Sequence, residues 1–255
     1  MNNLVALLSS LPFITLHMCE PSCPPNIAEL APNVCLFRNG SVRSYCEAHK
    51  VCADYHELHG VHAFLIGKDT NYIEKFDRAS IPDIETFTSI NSLYRTRPHT
   101  GEAWRVGDPR EANFTTSGME FSWNKTGGSE SRIVVYWHQK LVAVPQRDQM
   151  GVAMCQFSPS VHNFSAVEQF RKNWPPQGEI VTEGDSANGC WEVKTVHSKI
   201  QCAFSCKIHH YCRSFYYNEK TKECKQSIYV DSSLFVQDIN SAGEWVRFGR
   251  PFWGF

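Results

Sequence analysis

The chain lacks the long apolar runs of a membrane-spanning protein and a charge excess of either sign. After Leu16, no stretch approaches the roughly 18 consecutive apolar residues of a transmembrane helix, so none is predicted. Lys and Arg number 25 against 26 Asp and Glu, with no long block of like charge. This balance favours neither nucleic acid nor an anionic membrane surface as a partner.

Catalytic signatures are also missing. The sequence contains no G-x-S-x-G, no phosphate-binding P-loop and no G-x-G-x-x-G. We therefore predict no catalytic residues, no cofactor and no enzymatic activity. Two histidine groups could suggest zinc, but His56-Glu57-Leu58-His59 is one residue short of H-E-x-x-H, and Gly60 separates it from His62. A solvated helix edge is the favoured interpretation there, and an exposed loop at His209-His210, so no metal site is predicted.

Export is indicated by two features, an N-terminal apolar run and the glycosylation sequons, and it decides how the cysteines are interpreted. The largely apolar run Leu4–Leu16 predicts a secretory signal peptide over residues 1–19, although Met1-Asn2-Asn3 carries no Lys or Arg. A core or membrane-surface segment is the alternative for this run. The 11 cysteines of an exported chain indicate a disulfide framework. The N-x-S/T sequons predict glycosylation at Asn39, Asn113, Asn124 and Asn163.

The cysteines divide the chain into two halves. None occurs between Cys52 and Cys155, and a second group runs from Cys190 to Cys224. Proline and glycine are frequent between the two halves, which predicts a linker over 159–177 with a short helical patch around 166–172. Two modules are the expectation for a chain of 255 residues.

The first half begins with a hairpin signal. Asn39-Gly40 lies between short apolar runs, and a turn there would place Cys35 and Cys46 across from each other. A helix follows, because apolar residues recur at helical spacing and Gly60 suits its C-terminal end. The predicted inward stripe of this helix consists of Ala48, Val51, Cys52, Tyr55 and Leu58.

Four further segments of this half have the composition of strands. They are His62–Gly67, Arg132–Tyr136, Lys140–Val144 and Gly151–Phe157. Together with the hairpin and the helix, residues 33–158 resemble a C-type lectin-like domain of the long form. The resemblance implies the disulfides Cys35–Cys46 and Cys52–Cys155, and central tryptophan-bearing strands at 102–107 and 121–124.

The calcium and sugar motifs of that family are missing. Neither E-P-N nor Q-P-D occurs, and Trp123-Asn124-Lys125 replaces the W-N-D triplet. Calcium prefers six to eight oxygen ligands, so we expect no calcium-dependent sugar site. The acids between Trp104 and Cys155 are scattered: Asp108, Glu111, Glu120, Glu130 and Asp148.

The second half contains the most specific pattern of the sequence, C-x3-C-x5-C-R-S-F-x-Y-N-x5-C, over residues 202–224. It resembles the PAN/apple module over residues 178–250. The resemblance implies a helix tied to a small antiparallel sheet by the disulfides Cys202–Cys224 and Cys206–Cys212, and it implies a binding module. In the strand Phe215–Tyr217 we expect two buried rings and one at the surface. Cleavage after Cys19 would allow Cys23 to pair with Cys190.

The sequence thus predicts an α+β protein of two small disulfide-bonded modules. We expect a secreted glycoprotein that binds an extracellular protein or glycan; a structural component of an extracellular matrix or coat is the alternative. The segment Asp83–Pro109 is the expected binding face, because arginine and aromatic residues are typical of binding hot spots. Its candidate ligand-binding residues are Tyr94, Arg95, Arg97, His99 and Trp104.

Overall fold

The computed structural model describes residues 23–24, 27–76, 84–94, 104–108, 116, 122–124, 130–157, 169–174, 181–182, 189–235 and 244–250. These residues form two modules, each with a helix on a sheet, which confirms the predicted α+β class.

The first module contains a seven-stranded sheet with the order β1-β2-β7-β4-β5-β6, in which β3 also pairs with β7. Its strands are β1 (Ala28–Ala31), β2 (Val34–Val42), β3 (Ala63–Leu65), β4 (Thr86–Asn91), β5 (Ser131–Trp137), β6 (Lys140–Pro145) and β7 (Gly151–Phe157). Its helices are α1 (Tyr45–His59) and α2 (Ile73–Phe76), the latter preceded by a 3-10 turn at Thr70–Tyr72.

Strand β7 is the centre of this sheet. It pairs antiparallel with β2 and β3 and parallel with β4. The bounds of β7 agree with the sequence prediction, since its apolar residues form one continuous run, which is typical of a strand covered on both faces. The predicted tryptophan-bearing strands contribute single bridges, Asn91 to Arg105 and Trp123 to Leu141.

Helix α1 packs on this sheet and has clear signals at both ends. Ser44 accepts a hydrogen bond from the Glu47 amide at 3.2 Å, and the Glu47 carboxylate accepts one from the Arg43 amide at 2.6 Å. These bonds satisfy amides that the first helical turn leaves unpaired. Gly60 follows the helix with a φ of 69°, as predicted for its end. Leu58, expected on the buried stripe, is 76% exposed in the last turn of the helix.

The predicted hairpin at Asn39-Gly40 is wrong. Strand β2 continues through both residues, and they form an irregularity in its pairing with β7. The hairpin turn lies earlier, between β1 and β2, where Asn33 has a φ of 64°. Since β2 spans roughly 23 Å from Cys35 to Val42 at about 3.3 Å per residue, Cys46 lies beyond its far end.

The described cysteines form five disulfides. Cys52–Cys155, Cys202–Cys224 and Cys206–Cys212 are paired as the sequence predicts. The expected Cys35–Cys46 and Cys23–Cys190 pairs are wrong, because the structure pairs Cys23 with Cys35 and Cys46 with Cys190. The first bridge ties the segment before β1 to β2. The second joins the two modules.

The second module packs α3 (Lys199–Ile208) on a five-stranded sheet with the order β10-β12-β11-β14-β8. Its strands are β8 (Arg171–Lys172), β10 (Trp191–Thr195), β11 (Cys212–Asn218), β12 (Glu223–Ile228) and β14 (Trp245–Gly249); β9 (Val181–Thr182) and β13 (Leu234–Phe235) form a separate parallel pair. Ser198 caps α3 by accepting a hydrogen bond from the Gln201 amide.

Two details of this module differ from the sequence analysis. Arg171–Lys172, assigned to the linker and its helical patch, forms an edge strand paired with β14. Phe215, Tyr216 and Tyr217 are all buried, where one surface ring was expected. The reason is that β11 is covered on both faces: α3 and Phe248 lie on one, while Leu234, Trp245 and Trp191 surround Tyr216 on the other.

The modules meet in a buried interface and share apolar cores. Val230 and Cys190 of the second module pack into the core of the first. In return, Ala53 and Phe64 pack with the residues beneath α3. The Tyr211 hydroxyl donates to the Ala53 carbonyl at 3.2 Å, and the Tyr211 and Phe64 rings meet edge to face at 5.8 Å.

Candidate functional site

The described residues of the predicted binding face, 84–94 and 104–108, contribute both to the inter-module interface and to the core of the first module. Tyr94 is buried, and the Arg247 guanidinium lies 3.9 Å from the centre of its ring. Trp104 is buried in the core of the first module, 5.9 Å from the Trp123 ring centre. These two residues therefore support the fold and offer no free ligand surface. Arg95, Arg97 and His99 lie outside the described residues.

Arg213 is the central polar residue of this interface. Its guanidinium donates to the Tyr229 carbonyl at 2.9 Å and to the Gly107 carbonyl of the first module. Burial lowers its pKa to about 10, against the opposing attraction of the Asp231 and Asp108 carboxylates. Arg213 therefore remains charged near neutral pH. It donates hydrogen bonds to two carbonyls that would otherwise be buried without a partner, at a cost in desolvation free energy.

Close packing surrounds this arginine. The His49 and Tyr229 rings stack at 5.5 Å with an interplanar angle of 7°. A Cβ atom on Gly107 would lie 2.9 Å from Val230, so only glycine permits this approach of the two modules. Burial, and then the charge of Arg213, lower the pKa of His49 to about 3, so its imidazole is neutral. These contacts orient the two modules relative to each other.

Arg247 forms a second polar anchor. It is fully buried and donates to the Asp231 carboxylate at 2.8 Å. The same guanidinium lies over Tyr94, so it joins the second module to the first by a cation–π contact. Next to it, the Ser233 amide donates to the Leu93 carbonyl at 2.9 Å.

The exposed apolar surface is elsewhere, on α3. Ile200, Phe204 and Ile208 are 77%, 60% and 61% exposed, and they recur every fourth residue. The opposite side of the helix carries Cys202 and Cys206, which are buried and bonded to the sheet. We call these three residues the α3 ridge. The sequence analysis missed them, although their spacing relative to the two cysteines could have indicated an outward face.

One residue of each histidine group lies close to the other. The His62 and His210 ring centres lie 6.3 Å apart. Over the described part of the chain, no three metal-binding side chains gather into a cluster. Of the scattered acids, Asp108 is buried beside Arg213, Glu130 and Asp148 are exposed, and Glu111 and Glu120 lie outside the described residues.

Two of the four sequons can be placed. Asn124 is exposed. Asn39 is half-buried in β2; its side-chain amide donates to the Val51 carbonyl of α1 at 3.4 Å, and its oxygen accepts from the Gly40 amide. Asn124 is therefore the more accessible of the two. Asn113 and Asn163 lie outside the described residues.

Comparison with known proteins agrees with the pattern of the second module. Residues 179–235 match the PAN domain family. The predicted resemblance to that module is thereby confirmed. No curated protein sequence matches the chain. Among the described residues, no helix is long and apolar enough to span a membrane.

Solved C-type lectin structures resemble the first half of the chain. A mutant of the lectin CEL-I has a TM-score of 0.43 at 12% identity, covering 55% of this chain and 100% of its own. CEL-I from Cucumaria echinata has a TM-score of 0.36 at 13% identity, with the same coverage. Human lithostathine has a TM-score of 0.38 at 16% identity, covering 60% of this chain and 98% of its own. The first module itself carries the Cys52–Cys155 bridge from α1 to β7 that the lectin-like resemblance implies.

Proposed function

We propose that the chain is an exported glycoprotein that recognises an extracellular protein or glycan without a calcium-dependent sugar site. The observation that carries this proposal is the pairing of ten cysteines in five disulfides, one of which joins a lectin-like module to a PAN module. Such bridges persist in oxidising compartments, and both kinds of module are typically binding modules.

The recognition surface belongs to the outer faces of the two modules. The interface occupies Tyr94, and the core of the first module occupies Trp104, so neither residue contacts a ligand directly. The missing E-P-N and W-N-D triplets support recognition without calcium, as does the burial of Asp108 against Arg213. Asn124 is the glycosylation site that its exposure favours most.

Expression of the full chain in a secreting eukaryotic cell tests export and glycosylation together. We expect the protein in the medium, with a mass that falls on treatment with an N-glycosidase. The variant Asn124→Gln should lose one glycan, whereas Asn39→Gln should change the mass less. Retention in the cytosol with reduced thiols would contradict the proposal.

Recognition is tested by applying the secreted protein to glycan and extracellular-protein arrays, with calcium and with a chelator. We expect the chelator to leave binding unchanged, because the calcium motifs are missing. A protein that needed bound calcium would instead lose stability when the chelator removed the ion. Loss of binding in chelator would show a calcium site that the sequence does not reveal. Binding to matrix proteins alone, with no glycan bound, would favour the alternative of a structural matrix or coat component.

A further inference from the structure

The α3 ridge is held facing outward by covalent bonds. Cys202 and Cys206 fix the opposite side of α3 to β12 and to the start of β11. Rotation of the helix would break this arrangement, so Ile200, Phe204 and Ile208 cannot turn into the core. Single exposed apolar residues are normal on a protein surface, but three large ones in one line form a contiguous patch, which is typical of an interaction site.

The surroundings of the ridge are basic. Lys207 and Lys199 lie on the same helix, the latter with its Nζ 5.5 Å from the centre of the Phe248 ring of β14, and no Asp or Glu occurs anywhere between residues 197 and 218. Lys172 of β8 lies directly opposite Phe248 of β14, so the two side chains share one face of the sheet. Phe248 packs under α3, and Lys172 is therefore on the side of the sheet that carries α3. Two acids that act electrostatically on residues of this region are paired with lysines: Glu192 with Lys194 at 3.0 Å and Glu219 with Lys222 at 2.6 Å. A chain with a net charge of −1 thus presents one locally cationic, apolar face.

The shape of this face favours a planar partner. The ridge is convex and follows the axis of a helix about 15 Å long, at 1.5 Å per residue. A flat surface can meet all three side chains at once, whereas a protein partner would need a matching groove. Helices that lie in a membrane interface combine these features: aliphatic and aromatic side chains enter the boundary of the acyl chains, while lysines remain near anionic headgroups.

We propose that α3 docks the protein on an anionic phospholipid surface, with the α3 ridge inserted and Lys172 and Lys207 near the headgroups. This goes beyond ligand recognition and does not depend on it. The balanced charge of the whole sequence favoured no anionic membrane surface as a partner. That total does not reveal a single face that is locally basic.

Sedimentation of the full-length protein with vesicles tests the proposal. We expect binding to phosphatidylcholine vesicles that contain phosphatidylserine, little binding to phosphatidylcholine alone, and weaker binding at high salt. The double variant Ile200→Ser/Phe204→Ser should weaken binding at least about tenfold, a large but attainable effect for two apolar anchors. Lys172→Glu/Lys207→Glu should abolish the preference for phosphatidylserine.

Val193→Ser is the matched control. Val193 is 54% exposed on β10, and its neighbour Lys194 contacts Ser205 of α3. Because side chains alternate along a strand, Val193 faces away from the α3 side. We expect Val193→Ser to bind vesicles like the wild type. Val193→Ser and Ile200→Ser/Phe204→Ser should both keep the wild-type melting temperature, since their replaced side chains are exposed.

Three results would overturn the proposal. The first is wild-type protein that does not sediment with phosphatidylserine vesicles. The second is a loss of vesicle binding in Val193→Ser as large as the loss in Ile200→Ser/Phe204→Ser. A ridge variant that retains vesicle binding but loses a dimer, or loses binding to an array protein, would show that the ridge is a protein interface. Failure on vesicles with intact array binding would leave the recognition function standing, so the two proposals are separable.

Discussion

His49 lies at the inter-module interface, where its ring stacks on Tyr229 and meets Tyr45 edge to face, with Arg213 nearby. In the unfolded chain its pKa is near 6.5, and burial lowers it to about 3 in the folded protein. Between these values the unfolded chain holds a proton that the folded protein does not. The free energy of unfolding therefore falls as the pH falls through this window, by up to about 1.4 kcal/mol per pH unit from this residue.

We predict that His49→Phe reduces the loss of stability on acidification from pH 7 to about pH 4 while keeping the stack on Tyr229. Urea unfolding at several pH values measures the difference from the wild type. His197→Phe, at an exposed position, should follow the wild-type pH dependence. Identical slopes for wild type and His49→Phe would show that His49 is already protonated in the folded protein.

Arg213 gives a second prediction at the residue scale. Arg213→Met keeps the volume of the side chain but removes the donors to the Gly107 and Tyr229 carbonyls. Because a buried carbonyl without a partner costs about 1–3 kcal/mol, we expect the free energy of unfolding to fall by roughly 2–4 kcal/mol. Denaturant unfolding measures this loss. Arg43→Met, at an exposed position, should change stability by less than about 0.5 kcal/mol.

At the scale of elements, the disulfides should differ in what they contribute. Cys52–Cys155 joins α1 to β7 across 103 residues, whereas Cys206–Cys212 ties α3 to β11 across only 6. The chain-entropy model gives about 4.7 kcal/mol for a loop of a hundred residues and about 2 kcal/mol for the short one. We predict that replacing both cysteines of the long bridge by serine destabilises the protein more than the same change in the short bridge, as judged by thermal unfolding. The reverse order would show that α1 is held mainly by apolar packing.

Local patterns in the sequence predicted several elements well. The bounds of β7 and the end of α1 at Gly60 follow from an apolar run and from a residue that tolerates positive φ. The Asn39-Gly40 turn failed because the same dipeptide also fits an irregular position within a strand, and only pairing with β7 decides between them. Arg171–Lys172 was missed since a two-residue edge strand has no apolar periodicity.

The candidate site was predicted poorly for a different reason. Arginine and aromatic residues are typical of binding faces, but they are equally suited to an interface within one chain. Tyr94 meets Arg247 of the second module, a contact between residues far apart in sequence that no local pattern reveals. The α3 ridge, by contrast, follows from helical spacing alone, once Cys202 and Cys206 define the inward side.

At the scale of the whole molecule, the shared interface predicts one cooperative unit. Both bridges within residues 202–224 lie inside the second module and by themselves would allow that module to fold independently. The structure adds the Cys46–Cys190 bridge and buries Arg213, Arg247 and Val230 against the first module. We therefore expect a single calorimetric transition with equal calorimetric and van't Hoff enthalpies. Two separated transitions in the full-length protein would mean that the interface contributes little.

Peptide mapping of the secreted protein without reduction tests the central claim most directly, since it reports compartment, modules and interface in one measurement. We predict the bridges Cys23–Cys35, Cys46–Cys190, Cys52–Cys155, Cys202–Cys224 and Cys206–Cys212. The peptide that links Cys46 to Cys190 is decisive, because among the five described bridges this is the one that joins the two modules. Free thiols at these ten positions, or a Cys35–Cys46 bridge in its place, would contradict the account of an exported protein whose two modules form one binding body.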